Sequence, residues 1–255
     1  MDPGRTTATV LGVECFAGSL EQAAAETIAR ARSGAGGYVC LCSAHGIVFS
    51  HHDPELREAL ADAWRVLPDG YPVAWMARRT GAPRALRVAG TDFMSAVFER
   101  GQDAGLRHFL FGSTPEVLGR LESQLVERFP RAEIVGSLSP SFTPLEPEEA
   151  RRDLERIAAA QPHLVWLGFS TPKQDLWMRR YAAQLAPALA LGVGAAFDFN
   201  AGTKKRAPEW MQRTGLEWLH RLSSEPTRLA GRYARITSEF VGRAALDLLR
   251  RRRGR

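Results

Sequence analysis

The sequence predicts an α/β protein, a parallel sheet with helices on both faces, carrying a helical appendage toward its C-terminal end. Three observations predict it. Short apolar runs rich in β-branched and aromatic residues recur through residues 1–200, segments of helical length separate them, and from Lys204 onward the pattern is helical only. Strands alternating with helices of that length build parallel sheets buried on both sides. In such a Rossmann-like arrangement ligands bind beyond the carboxyl ends of the strands, so the residues directly after each strand are the candidates for chemistry.

In chain order, the first strand is Tyr38-Val39-Cys40-Leu41-Cys42. Residues 54–64 read as helix, Arg65-Val66-Leu67 as a strand, and 91–105 as the next helix. His108-Phe109-Leu110-Phe111-Gly112 is a strand. The helix over 115–129 follows it, and Ser113-Thr114-Pro115 places a cap and a first-turn proline in order. Glu133-Ile134-Val135-Gly136, a helix over 147–160, His163-Leu164-Val165-Trp166-Leu167-Gly168, a helix over 172–186 and Leu189-Ala190-Leu191-Gly192-Val193-Gly194 complete the alternation. Beyond it, Leu222, Leu229, Tyr233, Ile236 and Phe240 form an apolar helical stripe, bordered one position earlier by Arg221, Arg228, Arg232 and Arg235. The expected division is an α/β domain over 1–203 and a basic helical appendage over 204–255.

A chain of 255 residues, 45% hydrophobic and 24% charged, can bury a core as one large or two small domains, which excludes disorder and collagen-like order. Its formal charge of +6 is uneven: residues 1–200 carry 20 basic and 23 acidic side chains, residues 201–255 carry 14 and 5. The arginines of the appendage suit a solvated face or an anion. Clustered arginine also suits a nucleic-acid-binding protein. Against nucleic acid stand the apolar stripe interleaved with the arginines and the lack of a base-stacking aromatic platform.

Three cysteines, Cys15, Cys40 and Cys42, make neither a disulfide framework nor a zinc site, which favours a reducing cytoplasm. No apolar run approaches the roughly 18 residues of a membrane span, and the N-terminus lacks a signal-peptide core. Contact with a membrane is therefore expected to be peripheral. Phe240, Val241, Leu246, Leu248 and Leu249 beside Arg243 and Arg250 to Arg255 make a basic amphipathic end suited to anionic lipid headgroups.

Several familiar motifs are missing. Gly192-Val193-Gly194-Ala195-Ala196-Phe197 has phenylalanine where a dinucleotide fingerprint needs its third glycine, and there is no phosphate-binding P-loop, no HExxH and no Asp-x-Asp. Dehydrogenase, P-loop kinase and metalloprotease lose ground, and so does metal-chelated nucleotide-sugar transfer. Leu67-Pro68-Asp69-Gly70 puts a carboxylate at a strand end, where burial can make it a general base; the same pair serves an ordinary Asp-Gly turn. Gly90-Thr91-Asp92 reads most simply as a helix cap. Ser170-Thr171-Pro172-Lys173-Gln174-Asp175 opens a helix whose first amides, with Lys173 and Gln174, can bind an anion or a sugar, or be capped locally. Asp198, at the end of the last strand, fits a ribose or base contact as well as a structural carboxylate.

With these segments in place, the chain resembles the WecG/TagA/CpsF family of bacterial glycosyltransferases. Seven motifs carry the resemblance in the family's order: Leu67-Pro68-Asp69-Gly70, Arg87-Val88-Ala89-Gly90-Thr91-Asp92, Pro172-Lys173-Gln174-Asp175-Leu176-Trp177-Met178, Gly192-Val193-Gly194-Ala195-Ala196-Phe197-Asp198, Arg206-Ala207-Pro208-Glu209-Trp210-Met211, Gly215-Leu216-Glu217-Trp218, and Arg221-Leu222 with Glu225-Pro226 and Arg228-Leu229. The resemblance implies inverting, metal-independent transfer of a sugar from a UDP-sugar to a polyprenyl-diphosphate-linked saccharide at the cytoplasmic membrane face, in cell-surface or exopolysaccharide synthesis, with no cofactor. It implies Asp69 as the base that deprotonates the acceptor hydroxyl, Arg87, Asp92 and Gln174 in the donor pocket beside Lys173, and Asp198 on the nucleotide. Arg221, Arg228 and Arg232 are implied to close over the diphosphate, stabilising the leaving group as a metal would. A homo-oligomer is compatible with it.

This chain departs from the family at the first-strand loop. Where Thr-x-Asn is common, Leu41-Cys42-Ser43 stands here, followed by His45, as in some exopolysaccharide-assembly members. Asp175 replaces the usual glutamate. Ser43 and His45 fall near the expected sugar, so the donor stays open among N-acetylmannosamine, its uronic acid and glucose.

Overall fold

The computed structural model describes the backbone of residues 7–140, 147–224 and 226–253; the side chains at 147, 213, 221, 224, 226–230, 232, 233 and 253 lie outside that description. A hairpin of β1 (Thr7–Val10) and β2 (Val13–Phe16) precedes α1 (Leu20–Ser33). Then come β3 (Tyr38–Cys42), α2 (Ala44–Ser50), α3 (Pro54–Asp62), β4 (Arg65–Pro68), α4 (Tyr71–Arg79), α5 (Gly90–Gly101), β5 (Arg107–Gly112), α6 (Pro115–Arg128), β6 (Glu133–Leu138), α7 (Pro147–Ala159), β7 (Leu164–Gly168), α8 (Lys173–Tyr181), β8 (Leu189–Gly192) and α9 (Ala196–Asn200). Three further helices follow, α10 (Glu209–Thr214), α11 (Glu217–Ser224) and α12 (Pro226–Arg253).

β3 to β8 form one sheet in the order β4-β3-β8-β7-β5-β6, parallel throughout. Side chains alternate across it with the strand period of two. Val39, Leu41, Leu110, Trp166 and Leu191 join one apolar cluster with α1, α5, α6 and α9. Cys40, Cys42, Phe109, Phe111, Val165, Leu167 and Ala190 join a second cluster, with the hairpin, α2, α3, α4, α8 and α12. Both sides are covered, which is why the strands read as continuous apolar runs rather than alternating ones.

The expected alternation is present, with additions. The hairpin, α1, α2 and α4 had no signal in the periodicity. β1 and β2 are four residues each and turn through Leu11 at φ 49° and Gly12 at φ 88°, without the usual Asn-Gly signature. α1 is alanine-rich, yet its ends are well marked: Ser19 and Gln22 form a capping box and Gly34 closes it at φ 65°. The helix expected to 105 ends at Gly101, with a 3-10 turn over Gln102–Ala104, and the helix expected to 186 gives way at Tyr181 to a 3-10 turn. The last strand stops at Gly192, because the Val193 and Gly194 amides both donate to the Leu167 carbonyl and turn the chain into α9.

α12 packs along α2. Ile236, Phe240 and Ala244 are buried in the cluster that holds Ile47 and Val48. His52 Nε2 lies 2.7 Å from Glu239 Oε1, and Arg243 Nε donates to the same oxygen at 2.8 Å. This corrects one expectation: Phe240, assigned to the lipid-facing end, is only 4% exposed. Val241, Leu246 and Leu249 do stand in solvent, on a different arc of the helix. Among the described residues no helix is long and apolar enough to cross a membrane.

Candidate functional site

The carboxyl ends of β4, β3 and β8 lie side by side, and the loops that leave them bring most of the singled-out residues together. After β3, Ser43 starts α2 without a side-chain cap bond. After β4, the Asp69 amide donates to the Cys42 carbonyl at 3.0 Å, and a Cβ on Gly70 would stand 3.8 Å from Ser43 Cβ, so the Asp-Gly turn rests on Ser43. The Val88 amide donates to the Pro68 carbonyl at 2.9 Å, which carries Arg87 to the same edge. His45 follows on α2, its ring 5.6 Å from that of Phe49.

On the other side of β3, Gln174 lies buried in the first turn of α8. Its Nε2 donates to the Gly192 carbonyl at 3.3 Å, while its Oε1 has no partner among the described residues. The contact leaves little room for a side chain at 192, since a Cβ there would lie 3.2 Å from the carboxamide and 2.6 Å from the Met178 methyl. Lys173 is exposed at the mouth. Neither Ser170 nor Thr171 caps α8, whose N-cap, Pro172, offers no side-chain bond. Asp198, on α9, is paired with Lys204 at 3.1 Å.

Asp92 plays a different part from the cap its spacing suggested. The N-cap of α5 is Ala89, with no side-chain bond. Asp92 instead receives both Nη atoms of Arg206, at 2.5 and 2.7 Å. Arg206 also reaches Glu217 at 3.4 Å, and Glu217 pairs with Arg87, whose Nη1 donates to the Gln212 carbonyl. The Asp92 hydrogen bonds hold the Arg206 guanidinium above its ordinary pKa. Arg87 Nε is buried without a partner among the described residues. This chain of ion pairs fastens α10 and α11 to the rim beside Asp69. Gly215, at φ 78°, turns α10 into α11 directly on Tyr71, where any Cβ would meet the ring at 2.8 Å. Arg221, Arg228 and Arg232 have helical backbones, but their side chains lie outside the described residues.

β5 leads outward to β6 whereas β7 leads back toward β8, so the topological switch lies between β5 and β7. Gly112, at φ 126°, passes so close there that its Cβ would lie 2.9 Å from the Gly168 backbone. Sequence reasoning gave no role to Arg206, Glu217 or Tyr71, because each matters through a partner more than 100 positions away. It also left Asp175 as a simple departure. The structure buries this carboxyl, and burial pushes its pKa from 3.8 up to about 6. Burial likewise raises the Cys40 and Cys42 thiols well above the ordinary value, leaving them protonated and inert.

The arrangement can bind and orient a polar ligand at the end of β3, offering a partly exposed carboxylate on one side and, on the other, a carboxamide oxygen with no partner among the described residues. Compared with known families, residues 8–254 match the model described as "Glycosyl transferase WecG/TagA/CpsF family".

Proposed function

Because the chain belongs to the WecG/TagA/CpsF family of glycosyltransferases, we propose that it transfers a sugar from a UDP-sugar to a polyprenyl-diphosphate-linked saccharide, with inversion and without a metal, in cell-surface polysaccharide synthesis. The observation that supports the reading is the buried Gln174 Oε1, without a partner among the described residues, on one side of β3, while the backbone bonds of Asp69 and Val88 hold Asp69 and Arg87 at the β4 end on the other. Asp69 takes the proton of the acceptor hydroxyl as that oxygen attacks the anomeric carbon; the bond to UDP breaks on the opposite face and the diphosphate leaves with the electron pair. Gln174 orients the sugar through its free oxygen, Ser43 and His45 line its other side, and Lys173 and Asp198 face the nucleotide. Guanidinium groups stabilise the leaving diphosphate, the role a divalent ion fills where an Asp-x-Asp is present.

The appendage over 204–255 then closes the site and meets the membrane. Val241, Leu246 and Leu249, with Arg250 to Arg253, lie on anionic lipid at the cytoplasmic face, where the lipid-linked acceptor is found. The test is UDP release measured across UDP-N-acetylmannosamine, its uronic acid and UDP-glucose with a short-chain lipid-diphosphate acceptor. Release that needs both substrates and survives EDTA supports the reading. Release abolished by EDTA, or none with any donor, overturns it.

A further inference from the structure

Glu217, the first residue of α11, stands between two guanidinium groups. Its Oε2 accepts a hydrogen bond from Arg87 Nη2, and its Oε1 accepts one from Arg206 Nε at 3.4 Å. Arg206 turns its remaining nitrogens to Asp92, at 2.5 and 2.7 Å, so each of its three nitrogens is engaged. Arg87 is less well served. Its Nη1 donates to the Gln212 carbonyl at 3.3 Å and its Nη2 to Glu217, while its Nε is buried with no partner among the described residues. In a guanidinium the Nε and Nη2 hydrogens point the same way and together grip a carboxylate or a phosphate. Glu217 fills one of those two positions.

The mismatch has a chemical reading. A carboxylate has two oxygens, and Glu217 gives one to each arginine, which leaves the third donor, Arg87 Nε, desolvated without an acceptor. A phosphoryl group presents three oxygens and more negative charge, enough for Arg87 Nε, Arg87 Nη2 and Arg206 Nε together. Solvent reaches the pair, since the side chains of Arg87 and Glu217 are each 20% exposed. The bond from the Val88 amide to the Pro68 carbonyl keeps Arg87 beside Asp69 at the end of β4. With Glu217 in place, two arginines and two carboxylates balance; with Glu217 withdrawn, one positive charge is left at the rim of the crevice.

We propose that Glu217 is an internal stand-in for a substrate diphosphate: Arg87 and Arg206 form an anion site, Glu217 holds it, and an incoming diphosphate displaces the carboxylate and unfastens α11 from the rim. The same chemistry suits the diphosphate of a nucleotide-sugar donor and that of a lipid-linked acceptor. The proposal rests on the transfer reading only for which of these substrates arrives. Docking of Glu217 and binding of the anion exclude one another, so each weakens the other by the same factor.

Inorganic pyrophosphate, UDP and a short-chain prenyl diphosphate, each titrated into the full chain by calorimetry at fixed ionic strength, test the site without any sugar transfer. Glu217→Gln is expected to bind pyrophosphate at least tenfold more tightly than wild type, and Arg87→Gln and Arg206→Gln at least tenfold more weakly. A glutamate that only staples the appendage would leave these affinities unchanged or lower them on removal. Tightening of UDP assigns the site to the donor, and tightening of the prenyl diphosphate assigns it to the acceptor. Wild type supplies a second readout that needs no variant: saturating pyrophosphate is expected to speed backbone hydrogen exchange over 209–220 at least tenfold, toward the rate of Glu217→Gln, while β5 and α6 stay unchanged. Affinity that is unchanged or weaker in Glu217→Gln for all three ligands, or exchange over 209–220 that pyrophosphate leaves unchanged or slows, overturns the proposal. An absence of transfer by the wild-type chain with every donor would defeat the functional reading alone and leave the binding measurements to decide the role of Glu217.

Discussion

Replacing Asp175 by asparagine should make the protein more stable at neutral pH, and the size of the effect follows from its burial. In the folded chain the carboxyl titrates at about 6, against an ordinary value of 3.8 in the unfolded chain. The native state therefore holds this proton more tightly, and ionising the group works against folding. That penalty is absent below about pH 4, grows between about 4 and 6, and is complete above. A shift of about two units, at about 1.4 kcal/mol each, sets a ceiling of about 3 kcal/mol. Asparagine keeps the shape but brings two amide hydrogens that must find acceptors in the buried pocket, which returns about 1 kcal/mol. A net gain of about 2 kcal/mol remains, and in a chain of this size it corresponds to roughly 4–8 °C in Tm. Thermal unfolding of wild type and variant, followed by circular dichroism between about pH 4.5 and 8, checks it. The two Tm curves should approach each other at the acid end and separate above about pH 6, with the variant higher. A constant gap at every pH, or a wild type that is the more stable at pH 7.5, would refute the reasoning. A variant both more stable and less active would be the trade expected of a residue retained for its site.

Asp69→Asn should leave UDP affinity within about twofold, measured by calorimetry, and lower transfer by about 100- to 10,000-fold, the usual contribution of a general base; near-normal turnover would remove Asp69 from that role. Glu217→Gln takes the charge from between Arg87 and Arg206 and leaves two guanidinium groups short of a partner. It should weaken docking of α10 and α11 by about 1–3 kcal/mol, seen as faster limited proteolysis near residues 203–216 while the sheet domain persists. Deleting residues 241–255 should abolish flotation with anionic vesicles and leave neutral vesicles unaffected; equal flotation of both proteins would show that the membrane contact lies elsewhere.

The sheet was legible because its strands are buried on both sides, so that runs such as His108 to Gly112 carry no polar interruption. The position of the site followed from the same fact, since a parallel sheet gathers its loops at one end. What stayed hidden was whatever depends on distant pairing. Asp92 had every local feature of a helix cap, but Arg206, 114 positions away, outcompetes the local amides by offering two charged donors. Phe240 looked like part of a lipid-facing stripe because periodicity shows that a face is apolar without showing what covers it, and here α2 does. The hairpin at Thr7–Phe16 was missed for want of a turn signature, and Asp175 because its identity gives no hint of depth.

The packing of α12 on α2 has a consequence for the timing of synthesis. His52 and Glu239 are separated by 187 positions, so the helix that begins at Ser43 leaves the ribosome long before the segment that backs it. At about 5–20 residues per second the interval is roughly 10–40 s. During it the sheet can assemble while Ile47 and Val48 remain uncovered and the Ser43 end of the crevice lacks its support. Released chains truncated before residue 236 are accordingly expected to bind UDP weakly, and chains extended past residue 245 to bind it fully, so the crevice gains its full support only when α12 is added.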